Sequence, residues 1–129
     1  MLYWKGDTSD EFYFISKGTI KLYNDQGNAF IKYSNGDMFG DSDALLDLPR
    51  DGKAQAITTV VLKSLQIKQF EKLFLNSEDT CLQMIVNARK KRDRHLMLME
   101  KANERVRKKT LDANLVTDLV KSINDEKRN

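Results

Sequence analysis

Glycine falls at positions 6, 18, 27, 36 and 40, then at Gly52, and never again along the 129-residue chain. Between the early glycines run short alternating segments. In "EFYFIS" Phe12 and Phe14 share one face and Tyr13 and Ile15 the other, and in "TIKLYN" Ile20 and Leu22 oppose Lys21 and Tyr23. "NAFIKYS" follows the polar turn "NDQGN", and "AQAITTVVLKSLQI" is a further β-rich stretch, β-branched from Ile57 to Val61. Strands separated by Asn, Asp and Gly at this spacing read as an antiparallel β-roll or barrel. The period then changes. Phe70, Leu73 and Phe74 stand at i, i+3 and i+4, a helical spacing. Residues 77–109 contain neither Gly nor Pro, and Ser77-Glu78-Asp79 opens them with the acidic first turn that suits a helix dipole. Leu82, Ile85, Val86, Leu96, Met99 and Val106 give that helix an apolar stripe, broken by the basic run from Arg89 to Arg94. Leu111, Leu115, Val116, Leu119, Val120 and Ile123 make a further amphipathic set. The expected architecture is α+β and mainly β: a small roll over 1–78, a helix over 79–109 and an amphipathic helical tail over 110–129, with little helix before about 68 except a short piece in "SDALLDL".

A chain of this length supports one domain with a modest core. Its net charge of +3 hides an asymmetry: residues 1–80 carry 9 Lys/Arg against 12 Asp/Glu, and residues 81–129 carry 13 against 7. An acidic body is therefore followed by a basic tail. One cysteine, Cys81, and one histidine, His95, can form neither an internal disulfide nor a zinc site, and a reducing compartment is the default. No apolar run approaches the roughly 20 residues that span a bilayer.

The stretch "NGDMFGDSDALLDLPRDGKAQA", residues 35–56, holds the chain's only proline and five aspartates around a single arginine. Gly36-Asp37 fits a turn, and Gly40 lets backbone approach a ligand closely. "DSDALL" has the composition of a short helix that Asp41, Ser42 or Asp43 can cap, and the N–H groups of a helix N-terminus favour anions. Pro49 stiffens the exit, and Arg50 offers a planar fork suited to phosphate. An ordinary acidic surface loop is the plainer reading of these residues alone. A calcium loop is excluded, because the D-x-D-x-D-G…E spacing is absent.

Taken together, "YFISKGTIKL" at 13–22, "GDMFGDSDAL" at 36–45 and Pro49-Arg50 resemble the cyclic nucleotide-binding domain family, over residues 1 to about 100. The resemblance implies an eight-stranded β-roll with a phosphate-binding cassette. It implies that Asp41 binds the ribose 2′-hydroxyl, that Arg50 pairs with the cyclic phosphate, and that backbone N–H groups near Asp43 and Ala44 complete the phosphate site. It also implies that the C-terminal helix closes over the purine. The residues so assigned are Phe39, Gly40, Asp41, Ser42, Asp43, Ala44, Arg50 and Asp51 of the cassette, with Lys91 and Arg92 of the helix. The ligand is cAMP or cGMP; no metal, cofactor or catalytic constellation is expected, so the chain reads as a sensor and not an enzyme.

Three departures weigh on that assignment. Asp41 replaces the usual Glu, Asp43 stands where a small or apolar residue is common, and Asp51-Gly52-Lys53 replaces the small residues and hydroxyl that follow the arginine. A unit-charge pair at about 4–6 Å repels by several kcal/mol at an effective dielectric near 20. Asp43 escapes that cost by facing solvent or capping the helix, and Asp51 by pairing with Arg50 or Lys53. The chain begins in the middle of the family pattern, as a fragment of a longer protein would. Among family members the long basic helix most resembles the cytosolic tail of a cyclic-nucleotide-regulated or voltage-gated cation channel of potassium type. The expectation is thus a cytoplasmic domain of a membrane-embedded parent, with self-association through the C-terminal helices. A binding-incompetent structural version of the domain is the second reading, and the sensor of a transcription regulator the third. "ARKKRDRH" lacks interleaved aromatics, so no nucleic-acid contact is expected. His95 reads as a helix-surface residue, Cys81 as a small buried one, and Leu96 to Met99 as packing.

Overall fold

The computed structural model describes residues 1–73 and 77–127. Six strands and three helices follow in order: β1 (Glu11–Lys17), β2 (Ile20–Tyr23), β3 (Ala29–Tyr33), β4 (Met38–Phe39), α1 (Asp41–Leu45), β5 (Lys53–Ala56), β6 (Val61–Gln66), α2 (Ile67–Lys72) and α3 (Glu78–Lys127). They form two three-stranded antiparallel sheets, β4-β1-β6 and β3-β2-β5. The eight strands implied by resemblance are six among the described residues. The long β-rich stretch expected over 54–67 is two strands joined by a turn, because β5 pairs with β2 while β6 crosses to β1.

The core lies between the sheets. Ile15, Ile20, Leu22, Phe30, Phe39 and Ala54 are buried there with Tyr3, whose backbone bridges to Ala54. The alternation read in β1 and β2 holds. Ile20 and Leu22 point in, with Lys21 and Tyr23 half-buried. Ile15 and Tyr13 face the core, while Phe12 is buried edge-on against Phe70 of α2, ring centroids 5.1 Å apart. Gly18 turns β1 into β2 at φ 107°, and a Cβ there would lie 2.5 Å from the Thr59 carbonyl oxygen, so no other residue fits without moving the chain. The spacing expected for Phe70, Leu73 and Phe74 gives α2, whose helix ends at Lys72; Phe74 lies outside the described residues.

The two C-terminal segments expected at 79–109 and 110–129 are one unbroken helix, α3, of 50 residues. Of the expected apolar stripe Met99 packs on the core, but Leu82, Ile85, Val86, Leu96 and Val106 are exposed. The buried positions are Ala88, His95 and Ala102, seven apart and so on one side of the helix. Small side chains at either end let α3 lie close on the roll, with an imidazole between them. The β2–β3 turn is tied to the same face: the Asn24 side-chain amide donates to the Met99 carbonyl (3.0 Å) and to Asn103 Oδ1 (2.7 Å), and the Asn28 amide donates to Asn103 Oδ1 (2.8 Å). Cys81 is half-buried. Among the described residues no helix is long and apolar enough to cross a membrane.

Candidate functional site

The cassette begins at β4. Phe39 is fully buried and stacks on Tyr13, with centroids 5.1 Å apart. Gly40 follows with φ 75° as the N-cap of α1, and no side chain caps the helix. The capping expected of Asp41, Ser42 or Asp43 is therefore absent. Glycine is required at 40 for a different reason from the one its sequence suggests. A Cβ there would stand 2.6 Å from Arg50 Nη1, so the residue makes room for the arginine itself. Ser42 and Ala44 are buried beside it. The exit is tight: Leu48 N–H donates to the Asp43 carbonyl (2.9 Å), and Asp47 takes φ 52°, a conformation Asp tolerates. Arg50 is then clamped through its backbone, donating to the Asp7 carbonyl and accepting from Gly6 N–H, both at 2.9 Å.

The Arg50 side chain is buried at 3% exposure. Its Nη1 donates to the Gly40 carbonyl (2.7 Å), its Nη2 donates to the Glu11 carbonyl, and the guanidinium lies 4.3 Å above the Tyr3 ring. The nearest carboxylate is Asp43, Oδ2 at 4.0 Å. Burial in this packing raises the Tyr3 phenol far above its ordinary range, and Arg50 opposes that only in part. Tyr13, which donates to Glu11 Oε1 at 2.5 Å, is pushed up to about 12 by burial and that bond.

Three cassette carboxylates, Asp41, Asp43 and Asp51, each meet a base of α3. Asp41 Oδ1 accepts from Lys91 Nζ at 2.5 Å, and Lys91 also donates to the Met38 carbonyl (3.2 Å). Asp43 Oδ1 accepts from Arg92 Nη1 at 2.9 Å, and its Oδ2 lies 3.4 Å from the Asp51 N–H. Asp51 Oδ2 lies 3.0 Å from His95 Nδ1, and His95 Nε2 lies 3.0 Å from the Tyr33 hydroxyl. A carboxylate against Nδ1 fixes the proton there, so in the neutral ring Nε2 accepts from Tyr33. Burial, then the neighbouring Asp51 charge, push Asp43 up to about 6, with Arg92 opposing. Tyr33 is raised in the same way, by burial and then by Asp41.

Several expectations are corrected here. Asp43 neither faces solvent nor caps α1; it is 1% exposed and turned inward to Arg92. Asp51 pairs with His95, not with Arg50 or Lys53. His95 is 2% exposed, not a surface residue, because α3 lies with that side against the roll. Lys91 and Arg92, assigned to ligand contact, are paired here with the cassette carboxylates Asp41 and Asp43. Arg50 Nε and Asp51 Oδ1 are buried without a hydrogen-bond partner. Two clefts flank the cassette–helix contact. One, of about 500 Å³, is lined by Lys32, Tyr33, Lys91, Arg94 and His95 among others; the second, of about 240 Å³, by Phe12, Asp41, Leu45 and Ala88 among others. Neither is lined by Arg50, Asp43 or Asp51. Among the described residues no group of three or more His, Cys, Asp or Glu side chains is placed to hold a metal ion.

The profile of the cyclic nucleotide-binding domain family matches residues 1–77. This chain belongs to that family. Over 69 residues it is 35% identical to a cAMP-dependent protein kinase regulatory subunit of Debaryomyces hansenii and 29% identical to that of Candida albicans; each match covers 54% of this chain and 15% of the relative. Among solved structures it is similar to cAMP-bound PfPKA-R (26% identity, TM-score 0.55, 69% of this chain and 31% of that one). The fold is also that of the EAL enzyme Bd1971 in its cAMP- and cyclic-di-GMP-bound form (17%, TM-score 0.65, 91% and 32%). It is likewise that of the c-di-GMP-responsive regulator CLP of Xanthomonas campestris (16%, TM-score 0.58, 81% and 53%).

Proposed function

We propose that this chain is the sensor module of a longer regulatory protein, not an enzyme in itself, and that its ligand is a 3′,5′-cyclic nucleotide, cAMP or cGMP. One observation carries the reading. Arg50 and Asp41, the residues the family resemblance assigns to phosphate and ribose, sit on one short cassette whose carboxylates are bonded directly to α3. A ligand that displaces the cassette therefore displaces a 50-residue helix. The work available to the attached effector is the ligand's differential affinity for the two helix positions. The relatives that match by sequence are kinase regulatory subunits. The cation-channel attachment draws support only from the long basic helix, so the effector is proposed no further than a polypeptide joined to this module. Self-association belongs to the same reading. Leu111, Leu115, Leu119 and Ile123 are exposed and four apart, and the row matches itself when a second copy lies antiparallel, Leu111 against Ile123 and Leu115 against Leu119.

Titration calorimetry with cAMP and cGMP tests the ligand class. Arg50→Ala abolishes the binding; an unchanged affinity removes Arg50 from the phosphate role. A specific observation favours the second reading, a binding-incompetent module: a buried carboxylate, Asp43, already stands 4.0 Å from the cation that a phosphate would need.

A further inference from the structure

Three carboxylates of the cassette meet three bases of α3 one to one: Asp41 with Lys91, Asp43 with Arg92, Asp51 with His95. With Arg50 included, three carboxylates stand among two guanidinium groups, one ammonium group and an imidazole. Asp43, Asp51, Arg50 and His95 are buried, and the three carboxylates are paired within the chain itself. Arg50, the residue assigned to the phosphate, and the Asp51 backbone N–H both lie near Asp43 Oδ2, at 4.0 and 3.4 Å.

We infer that the cassette of this chain is a receptor for its own helix: the turn Lys91-Arg92-x-x-His95 is the resident occupant, and Asp43 and Asp51 are the residues that select it over a phosphate. The inference rests on the reading of this site as a nucleotide cassette and deepens it. With the helix lifted away, the cassette would present Asp41, Asp43 and Asp51 against Arg50 alone, a net negative surface that suits a guanidinium and repels a phosphate monoanion. With α3 seated, an added phosphate would be an uncompensated charge in a buried site. A cyclic nucleotide therefore enters only by displacing a carboxylate, and the latch is released in the same event. The fit leaves Arg50 Nε and Asp51 Oδ1 unmet, so the seated state keeps one buried donor and one buried acceptor unpaired.

Two measurements on the full chain test this. The first is the electron–electron distance between spin labels at the exposed sites of Thr58→Cys and Asp112→Cys in a Cys81→Ser background, with no nucleotide present. A narrow distribution in the parent that broadens or shifts when Asp43→Ala and Asp51→Ala are added supports the latch; an unchanged distribution overturns it. The second is cAMP and cGMP titration of the same pair of proteins. Affinity rising at least about tenfold on loss of the two carboxylates is expected from removal of facing like charges. A parent that binds as tightly as the double variant overturns the selection by Asp43 and Asp51 and leaves the nucleotide reading intact. A double variant that is unlatched by distance yet binds neither nucleotide upholds the latch and overturns the nucleotide reading. Asp43→Asn with Asp51→Asn, which keeps side-chain shape, replaces the alanine pair if that fails to fold, and is judged by the same outcomes.

Discussion

Asp43 is the residue whose surroundings differ most from what its neighbours in sequence suggest. It is a carboxylate on a five-residue helix, fully buried, with Arg92 from α3 against one oxygen and Arg50 and the Asp51 N–H beyond the other. Its proton is held up to about 6, from an ordinary value of 3.8. Between those values the folded protein binds more protons than the unfolded chain, so stability falls as pH rises through the window. The contribution is complete below the ordinary value and gone above about 6, and is of order 2–3 kcal/mol at roughly 1.4 kcal/mol per unit. Urea midpoints of the parent and of Asp43→Asn, measured from pH 4.5 to 7.5, isolate it. The parent should lose stability relative to the asparagine variant as pH rises, and parallel curves would show that Asp43 titrates normally. The sequence named Asp43 as a problem for a phosphate but not its solution, since Arg92 stands 49 residues away.

At the scale of elements, α3 is held by a side of small residues with an imidazole among them, while most of its large apolar side chains stay exposed. Ala88, His95 and Ala102 are buried, Leu98 and Met99 pack beside them, and Asn103 takes two amides from the β2–β3 turn. Ala102 reaches the same core cluster as Ile20 and Phe30. Ala102→Leu would overpack this contact, at a cost of about 1–3 kcal/mol, and should weaken the Asn24–Asn103 ties with it. Denaturant unfolding checks the cost; a change under about 0.5 kcal/mol, the range of surface substitutions, would show that the helix rides clear of the roll. The strands of the roll were legible because alternation and glycine turns are local properties. The helix was legible as a helix for the same reason. Its buried face was not, because a search for apolar periodicity passes over an alanine–histidine–alanine row whose burial depends on carboxylates on a distant loop.

Across the whole molecule, a basic helix lies over an acidic cassette, and the charge asymmetry of the two halves of the sequence has its structural meaning there. Beyond Asn103 the helix leaves the roll with Leu111, Leu115, Val116, Leu119, Val120 and Ile123 exposed. If that face pairs with a second copy, sedimentation equilibrium gives a dimer at tens of micromolar, a moderate affinity of about 7 kcal/mol. Leu115→Glu with Leu119→Glu should return it to monomer without altering the fold of the roll by circular dichroism; a parent that is monomeric at millimolar concentration removes self-association from the reading. By itself the sequence determined the roll, the short cassette helix and a helical C-terminal region, each from spacing within a few residues, and the family from motifs spread over residues 13–50. Only the tertiary structure decided what fills the cassette. Which base meets which carboxylate depends on how a helix more than forty residues away is laid across it, and burial, by removing water from both partners, makes that pairing count.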